Sequence, residues 1–431
     1  MIRISPERIS EMRNSRSSRI LITGATGFLG SHLAVELLRK GYRVLLLVRP
    51  LKNLSAGERA ERLLNWFEAD EIDFANLRVI QGNLEDPLLG LDPQTYGDVA
   101  SEVDEIIHCA SATSFSERKR ALVEKSNVAN LRNFLAFAAR SRCSFFHYVS
   151  TAYAAGKRQG RCPEEMTEAR EFTNVYEETK HIAERLAKNT CDEEGIRLNI
   201  YRPSIVYGNS RNGRTFRFNA IYYPLRTMFM LKEVYDRDIR ENGGDRARAM
   251  GIFIDEKGRL HLPIRLETLP YGGINLIPVD FFVEAFLSIM EEAVEGGIFH
   301  IVNPRLKPLK DLAEYAERFL GVKGIEAVPP GTFSTFPRNG LETLFENCVG
   351  AYGPYMKDER VFESAGSDAI LRKRGITCPE FDYPTFSRCL KYAVETDWGK
   401  NLGNKEERRT SSIQHRMEEN KTGPTWPRRM G

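Results

Sequence analysis

The chain has few of the features that mark a secreted, membrane-spanning or metal-binding protein. Its seven cysteines are odd in number and form no C-x-x-C pair, which argues against a disulfide framework and against a zinc site. No run of about 18 apolar residues occurs, and the N-terminal stretch MIRISPERISEMRNSRSSR contains no apolar segment of a signal peptide. We therefore expect a cytoplasmic protein with no metal and no integral membrane segment, and peripheral membrane contact stays open.

A strong excess of charge is also absent. The chain has 62 Lys and Arg against 59 Asp and Glu, a formal net charge of +3. This balance gives no electrostatic reason to expect a nucleic-acid partner. With 431 residues, the chain is long enough for one large α/β domain with an elaboration, or for two domains.

Three glycines join a strand to a helix in residues 19–30, RILITGATGFLG. The apolar run before them indicates a strand buried on both faces, and a helical pattern begins after them. The N-terminus of a helix binds phosphate when no side chain blocks the approach. Gly24, Gly27 and Gly30 would supply the tight turn, the backbone contact with a pyrophosphate and the close packing of helix on sheet. The segment therefore predicts a dinucleotide-binding turn.

Arg49 ends the second expected strand, nineteen residues after Gly30. An acidic residue at about this distance suits the ribose hydroxyls of NAD, whereas an arginine suits the 2′-phosphate of NADP. Arg49 therefore favours NADPH. The alternative is a surface arginine at a strand end before Pro50.

Tyr176 and Lys180 lie four residues apart in the helical segment NVYEETKHIAERLAKN. Both side chains therefore lie on one helix face. An ammonium beside a phenol lowers the pKa of the phenol, and bringing it from about 10 toward 7 takes roughly 4 kcal/mol. Such a tyrosine can donate a proton to an oxygen that gains negative charge. The alternative for Tyr176 alone is an ordinary surface residue.

These features resemble the extended branch of the short-chain dehydrogenase/reductase superfamily over residues 19–304. The resemblance implies a catalytic set of Thr151, Tyr176 and Lys180, in which Thr151 matches the family position better than Ser150. It also implies the following cofactor-binding residues: Thr23, Gly24, Thr26, Gly27, Phe28, Leu29, Gly30, Arg49, Asn83, Leu84, Ala110, Tyr176, Lys180, Pro203 and Ile205.

Other polar residues near these motifs can be explained by structural roles as well as by a role in the site. His108 and Cys109 are adjacent in a strand and so point to opposite faces, and we expect both to pack. Asn127 resembles the family's asparagine near the active site. The leucines and phenylalanines around it are either core or a helix face of a homodimer.

Three segments, HCASATSF, NVYEETKHIAERL and YRPSIVYGNSRNG, resemble more narrowly the male sterility-like NAD-binding branch with fatty acyl-CoA reductases and terminal thioester reductase domains. That resemblance implies a lipid-metabolism oxidoreductase that uses NADPH to reduce an acyl-CoA or acyl-carrier-protein thioester to aldehyde or alcohol. A hydroxysteroid-type ketone reductase and a sugar-nucleotide epimerase or dehydratase stay open, as does a non-catalytic NADP-binding sensor.

A helical stripe of apolar residues follows these segments and either lines an acyl tunnel or is ordinary core; it consists of Phe218, Ile221, Tyr222, Leu225, Met228 and Phe229.

Strand and helix patterns alternate along most of the chain. Six strands are expected, at 20–23, 43–48, 77–81, 105–109, 144–150 and 197–201, and residues 297–304 return to the sheet. The predicted fold is α/β, a doubly wound, Rossmann-like parallel sheet with a small, mainly helical C-terminal substrate region. We expect a flexible arm or a short surface helix at 1–18, the NADP-binding domain at 19–304, the helical region at 305–399 and a disordered tail at 400–431.

Overall fold

A computed structural model describes residues 5–69, 71–270 and 272–402. Residues 1–4 of the expected arm and 403–431 of the expected tail lie outside the described residues. The strands are β1 Arg19–Thr23, β2 Arg43–Val48, β3 Leu77–Gln81, β4 Glu105–His108, β5 Phe145–Val149, β6 Arg161–Cys162, β7 Arg197–Pro203, β8 Ile205–Tyr207, β9 Phe253–Ile254, β10 Leu260–Glu267, β11 Gly273–Ile274, β12 Leu276–Pro278, β13 Gly297–Ile301, β14 Lys307–Pro308, β15 Val322–Val328 and β16 Val361–Phe362. The helices are α1 Pro6–Asn14, α2 Phe28–Arg39, α3 Ala56–Trp66, α4 Pro93–Glu102, α5 Arg120–Glu124, α6 Asn130–Arg140, α7 Val175–Glu194, α8 Tyr222–Glu241, α9 Asp245–Ala249, α10 Val279–Glu292, α11 Leu309–Leu320, α12 Thr332–Thr335, α13 Gly340–Val349, α14 Gly353–Met356, α15 Ala365–Lys373 and α16 Tyr383–Glu395.

The largest sheet has seven parallel strands in the order β13-β7-β5-β4-β1-β2-β3. It contains all six strands expected from the apolar runs, together with β13. The register places Thr23 opposite His108 and His108 opposite Tyr148. The carboxyl ends of β1, β4 and β5 therefore meet at one edge. The predicted doubly wound parallel sheet is confirmed.

Alternating side chains on β1 divide the core between the two faces of this sheet. Ile20 and Ile22 pack in the cluster that includes residues of α2 and α10, whereas Leu21 packs in the cluster that includes α6. All three are fully buried, and each such side chain contributes about 1.5–3 kcal/mol. Phe134 and Phe137 of α6 are also fully buried in the second cluster. These two side chains are therefore core and do not form a dimer face.

The N-terminal segment is helix α1 and not the flexible arm that its composition suggested. Ile9 and Met12 are buried, and the Arg13 guanidinium is almost completely buried. Arg13 Nη2 lies 2.6 Å from Glu105 Oε2 of β4, and Arg13 also donates to the Met290 carbonyl. Because these partners are distant in sequence, local composition could not reveal that the segment is docked.

The C-terminal region is mainly helical, and it shares a third core with α8. One of its strands, β15, pairs in parallel with β10 and was not expected from the sequence. Tyr222, Leu225 and Met228 are buried in this core. These three side chains of the stripe are therefore core, whereas Phe218 and Phe229 are only partly buried against it, and the acyl-tunnel interpretation stays a prediction. Among the described residues, no helix is long and apolar enough to span a bilayer.

Candidate active site

The glycine turn lies between the carboxyl end of β1 and the start of α2. Gly24 has a φ of +70°, and a Cβ there would lie 2.5 Å from the Ala110 amide nitrogen. A Cβ on Gly30 would lie 2.4 Å from the Gly24 carbonyl oxygen. Gly27 precedes α2, and no side chain caps the helix. Because first-turn N–H groups have no partner within a helix, this cradle fits the pyrophosphate of a dinucleotide.

The side chains around the turn are held by the protein itself. Thr23 Oγ1 lies 2.8 Å from His108 Nδ1, and Thr26 Oγ1 accepts a hydrogen bond of 2.7 Å from Arg59 Nη2. The Phe28 ring contacts Phe216 with centroids 5.8 Å apart. The side chains of Thr23 and Thr26 therefore fix the shape of the cradle.

Two of the expected cofactor-binding residues, Asn83 and Leu84, lie in the loop after β3. Asn83 accepts from the Glu85 amide at 3.3 Å and donates to Asp86 Oδ2 at 3.0 Å, so its amide stabilises the loop. The Leu84 side chain packs against the core, as does that of Leu29 on α2. The structure places Leu84 beside the sheet but commits the Asn83 side chain to its own loop.

Arg49 and Arg59 lie together beside the glycine turn, and Arg217 is near enough to affect the charge of Arg59. Arg49 is about half exposed and pairs with Glu85 at 3.3 Å. Arg59 of α3 donates both to the Arg49 carbonyl and to Thr26. Partial burial lowers the pKa of Arg59, and the positive charges of Arg49 and Arg217 lower it further. Three neighbouring guanidinium groups create a site suited to a phosphate dianion.

The three expected catalytic residues come together at the carboxyl edge of the sheet. Thr151 directly follows β5, and Tyr176 and Lys180 lie on one face of α7. The Thr151 hydroxyl donates to the Pro203 carbonyl oxygen at 3.4 Å, and it lies near enough to the Tyr176 phenol to lower the pKa of that group. A neighbouring hydroxyl and phenol can converge on one substrate oxygen.

The electrostatics of Tyr176 differ from the expectation. Desolvation raises the pKa of Tyr176, while the hydrogen bond from Thr151 partly opposes the shift. The predicted lowering by Lys180 is wrong, because the Lys180 ammonium bonds the Val149 carbonyl at 2.7 Å and the Tyr148 hydroxyl at 3.2 Å. Tyr176 therefore keeps its proton at neutral pH, as a general acid must.

A buried ion pair behind α7 engages the Ser150 hydroxyl. Arg202 of β7 bonds Glu184 of α7 through Nε and Nη2, at 2.9 and 2.7 Å. The Ser150 hydroxyl donates to the same carboxylate at 2.5 Å. Ser150 is therefore committed to Glu184 at 2.5 Å, whereas the partners of the Thr151 hydroxyl lie at 3.4 Å, in keeping with the preference for Thr151.

In the turn after β7, two backbone N–H groups already donate hydrogen bonds within the protein. The Ile205 amide donates to the Asn275 carbonyl at 3.2 Å, and the Ser204 amide donates to the Ile301 carbonyl at 3.1 Å. Pro203 has no amide hydrogen. The backbone N–H of Ile205, one of the expected cofactor-binding residues, is therefore already engaged within the protein.

Aromatic side chains from the C-terminal region lie close to Tyr176, with Phe115 between them. The Phe115 ring centroid lies 5.9 Å from that of Tyr176, 5.6 Å from that of Tyr352 and 5.4 Å from that of Tyr355. Tyr355 donates to Glu177 Oε1 at 2.7 Å, next to Tyr176 in sequence. The C-terminal region therefore forms one wall of the site.

Comparison with known proteins shows to which family the chain belongs. The model of the male sterility protein family, an NAD-binding family, matches residues 22–286, which is more than half of the chain. The chain belongs to this family. The resemblance found in the sequence motifs is thereby confirmed, and the male sterility protein match identifies an NAD(P)-binding, Rossmann-type oxidoreductase domain.

Similar proteins include large biosynthetic enzymes. A linear gramicidin synthase protein from Brevibacillus parabrevis is 25% identical over 402 residues, which cover 89% of this chain and 7% of that protein. The chain spans between 7% and 26% of the length of the first curated relatives that it matches.

Solved structures share the fold of this male sterility family member. The terminal R domain from the myxalamid PKS-NRPS pathway superimposes with a TM-score of 0.68 at 22% identity, covering 89% of this chain and 92% of that one. A thiolation-reductase di-domain from an archaeal non-ribosomal peptide synthetase gives 0.66 at 16% identity, covering 92% and 82%. At these identities the likeness concerns the fold.

Sequence reasoning missed three features of this male sterility family site. Arg59 had a signal, since it lies ten residues after Arg49 in a helix opened by the capping box of Ser55 and Glu58. The Glu184–Arg202 pair had none, because its partners come from separate elements. Phe115 likewise reaches the site only through the tertiary fold.

Proposed function

We propose that the protein is an NADPH-dependent reductase of an acyl thioester, carried by a carrier protein or by coenzyme A. The observation that carries this proposal is the position of Thr151 after β5 and of Tyr176 and Lys180 on one face of α7, at the sheet edge that also holds the glycine turn. Similarity to a linear gramicidin synthase protein and to a thiolation-reductase di-domain supports the thioester as the substrate class.

The cradle of Gly24, Gly27 and Gly30 would hold the pyrophosphate of the cofactor. The cluster of Arg49, Arg59 and Arg217 supports NADPH over NADH, because a 2′-phosphate gains charge-assisted hydrogen bonds from guanidinium groups. When bound, NADPH supplies the hydride for the carbonyl carbon.

The residues of the chain act on the carbonyl oxygen. Tyr176 retains its proton because desolvation raises its pKa, and it can donate this proton as negative charge develops on the oxygen. Thr151 positions the same oxygen through its hydroxyl. The ammonium of Lys180 lies on the same helix face, where it bonds the Val149 carbonyl and the Tyr148 hydroxyl, and one donor is left for the bound cofactor. Collapse of the resulting hemithioacetal releases a thiol and an aldehyde.

The proposal is tested by following NADPH oxidation with acyl-CoA and acyl-carrier-protein thioesters while free thiol is measured in parallel. We expect thiol release to match NADPH consumption for at least one carrier. Binding of NADPH without turnover on either kind of thioester would contradict the proposal. Ketone substrates would then test the reductase alternative.

Tyr176→Phe separates an enzyme from a binding protein. We expect turnover to fall by about a hundredfold or more, as when a general acid is lost, while NADPH affinity is kept. Tyr207→Phe is a matched control, because its buried hydroxyl has no hydrogen-bond partner among the described residues. Full activity of Tyr176→Phe would remove the proposed acid.

A further inference from the structure

The ammonium group of Lys180 has two acceptors on β5. Its Nζ lies 2.7 Å from the Val149 carbonyl oxygen and 3.2 Å from the Tyr148 hydroxyl oxygen. The same Nζ lies 4.6 Å from the centroid of the Tyr148 ring. Because an ammonium has three donors, one donor remains for Tyr176 or a ligand. The direction of that donor depends on how the other two are held.

Asn127, the other polar residue expected near the site, does not hold Lys180. Its Oδ1 accepts from the Ala112 amide at 2.7 Å and from the Ser111 hydroxyl at 3.1 Å. Its Nδ2 donates to the Ala112 carbonyl and to the Thr179 hydroxyl, both at 3.0 Å. Two donors and two acceptor lone pairs are the full capacity of an amide side chain. Asn127 therefore links residues 111–112 to α7.

We propose that Tyr148 is a positioning residue whose hydroxyl and ring hold the Lys180 ammonium at the carboxyl end of β5. Tyr148 is almost completely buried on a central strand, between His108 and Ile200 of the neighbouring strands. A side chain fixed in this way can hold a flexible lysine in one geometry. The effect on turnover rests on the proposed function, whereas the contact with Lys180 does not.

Most titratable side chains around Lys180 are neutral, so its ammonium depends on uncharged hydrogen-bond acceptors. Burial lowers the pKa of Lys180 to about 8, and Cys109 and Glu184 oppose this shift. Burial keeps His108 neutral by lowering its pKa to about 3, and it raises the pKa of Cys109 to about 12. Burial also raises the pKa of Tyr148, and desolvation raises that of Tyr176, so both phenols are neutral.

Glu184 is the charged neighbour of the ammonium, and Arg202 already neutralises its carboxylate at 2.7 Å. The ammonium form of Lys180 therefore depends strongly on the Val149 carbonyl and the Tyr148 hydroxyl. Removal of the hydroxyl should make the ammonium harder to maintain.

Tyr148→Phe removes the hydroxyl and keeps the ring. The protein is labelled with carbon-13 at lysine Cε, the Lys180 resonance is assigned by its loss in Lys180→Arg, and its pH titration is recorded. We expect the midpoint to fall by about one pH unit, the size expected for one lost hydrogen bond to a charged group. We also expect the alkaline limb of the kcat profile to move to lower pH by a similar amount.

Tyr201→Phe is the control, since it also removes a buried hydroxyl, one that lies 2.9 Å from His147 Nδ1. We expect the Lys180 midpoint to stay unchanged in this variant. An unchanged midpoint in Tyr148→Phe would overturn the proposal. If Tyr148→Phe does not fold, 4-fluorophenylalanine at residue 148 fills the space with a poor acceptor and carries the same expectation.

The titration needs no thioester, so the two proposals fail separately. An inactive wild-type protein contradicts the proposed function, while the Lys180 midpoint still decides the role of Tyr148.

Discussion

Arg59→Ala should weaken NADPH binding and leave NADH binding nearly unchanged. In the structure, Arg59 is fixed by donating to Thr26 at 2.7 Å and to the Arg49 carbonyl, and its charge lies close to those of Arg49 and Arg217. A hydrogen bond to a charged group contributes about 1.5–3 kcal/mol, which corresponds to a loss of roughly 10- to 150-fold in NADPH affinity.

Arg49→Ala should have a smaller effect. Arg49 is about half exposed and pairs with Glu85, which also pairs with Lys125 at 2.7 Å. The Glu85 carboxylate therefore offsets part of the positive charge that Arg49 would offer to a phosphate. Exposed ion pairs contribute about 1 kcal/mol or less, so we expect a loss of about fivefold in NADPH affinity. Salt should reduce this effect further, because it screens exposed charges.

Fluorescence titration of the bound reduced coenzymes measures both predictions at fixed ionic strength. Arg62→Ala is the matched control, since Arg62 is an exposed arginine on the same helix. Equal losses of NADPH and NADH affinity in Arg59→Ala would refute the reasoning. Such a result would show that Arg59 acts through Thr26 and the glycine turn and does not bind a phosphate.

Two further predictions concern the cradle and the buried histidines. Gly24→Ala should abolish coenzyme binding and lower the thermal midpoint, because a Cβ would lie 2.5 Å from the Ala110 amide nitrogen at a φ of +70°; normal binding in a calorimetric titration would contradict the fit of the cradle. Burial lowers the pKa of His32, His147 and His300 to about 4, and it lowers the pKa of His108 to about 3. Unfolded histidines protonate near pH 6.5, so the unfolded state binds more protons below this pH, and stability should fall by about 1.4 kcal/mol per histidine and pH unit until about pH 4. A thermal midpoint that does not change between about pH 7 and about pH 5.5 would be inconsistent with neutral buried histidines.

Local sequence patterns were sufficient for the elements that carry the site. The apolar runs of β1 and β2 mark strands buried on both faces, and the spacing of Tyr176 and Lys180 places them on one helix face. The glycine turn could be predicted because its steric demands fall on neighbours within a few residues, with Ala110 as the exception.

Features that depend on distant partners could not be predicted in this way. Helix α1 is polar in composition, and its docking depends on Arg13 reaching Glu105 on β4. The predicted direction of the Tyr176 pKa shift was wrong. Helical spacing does not show that the Lys180 ammonium donates two hydrogen bonds to residues of β5. The apolar stripe that begins at Phe218 has a spacing that fits a tunnel lining and a hydrophobic core equally well. Only the packing of its side chains can distinguish the two.

The central claim is tested most directly by transfer of a deuterium label. NADPH carrying deuterium at the transferable position of its nicotinamide is incubated with the protein and an acyl thioester, and the product is analysed by mass spectrometry. The account predicts one deuterium on the former carbonyl carbon for each thiol released in the first reduction, and none with Tyr176→Phe. Thiol release without deuterium in the product would show hydrolysis and would contradict the account.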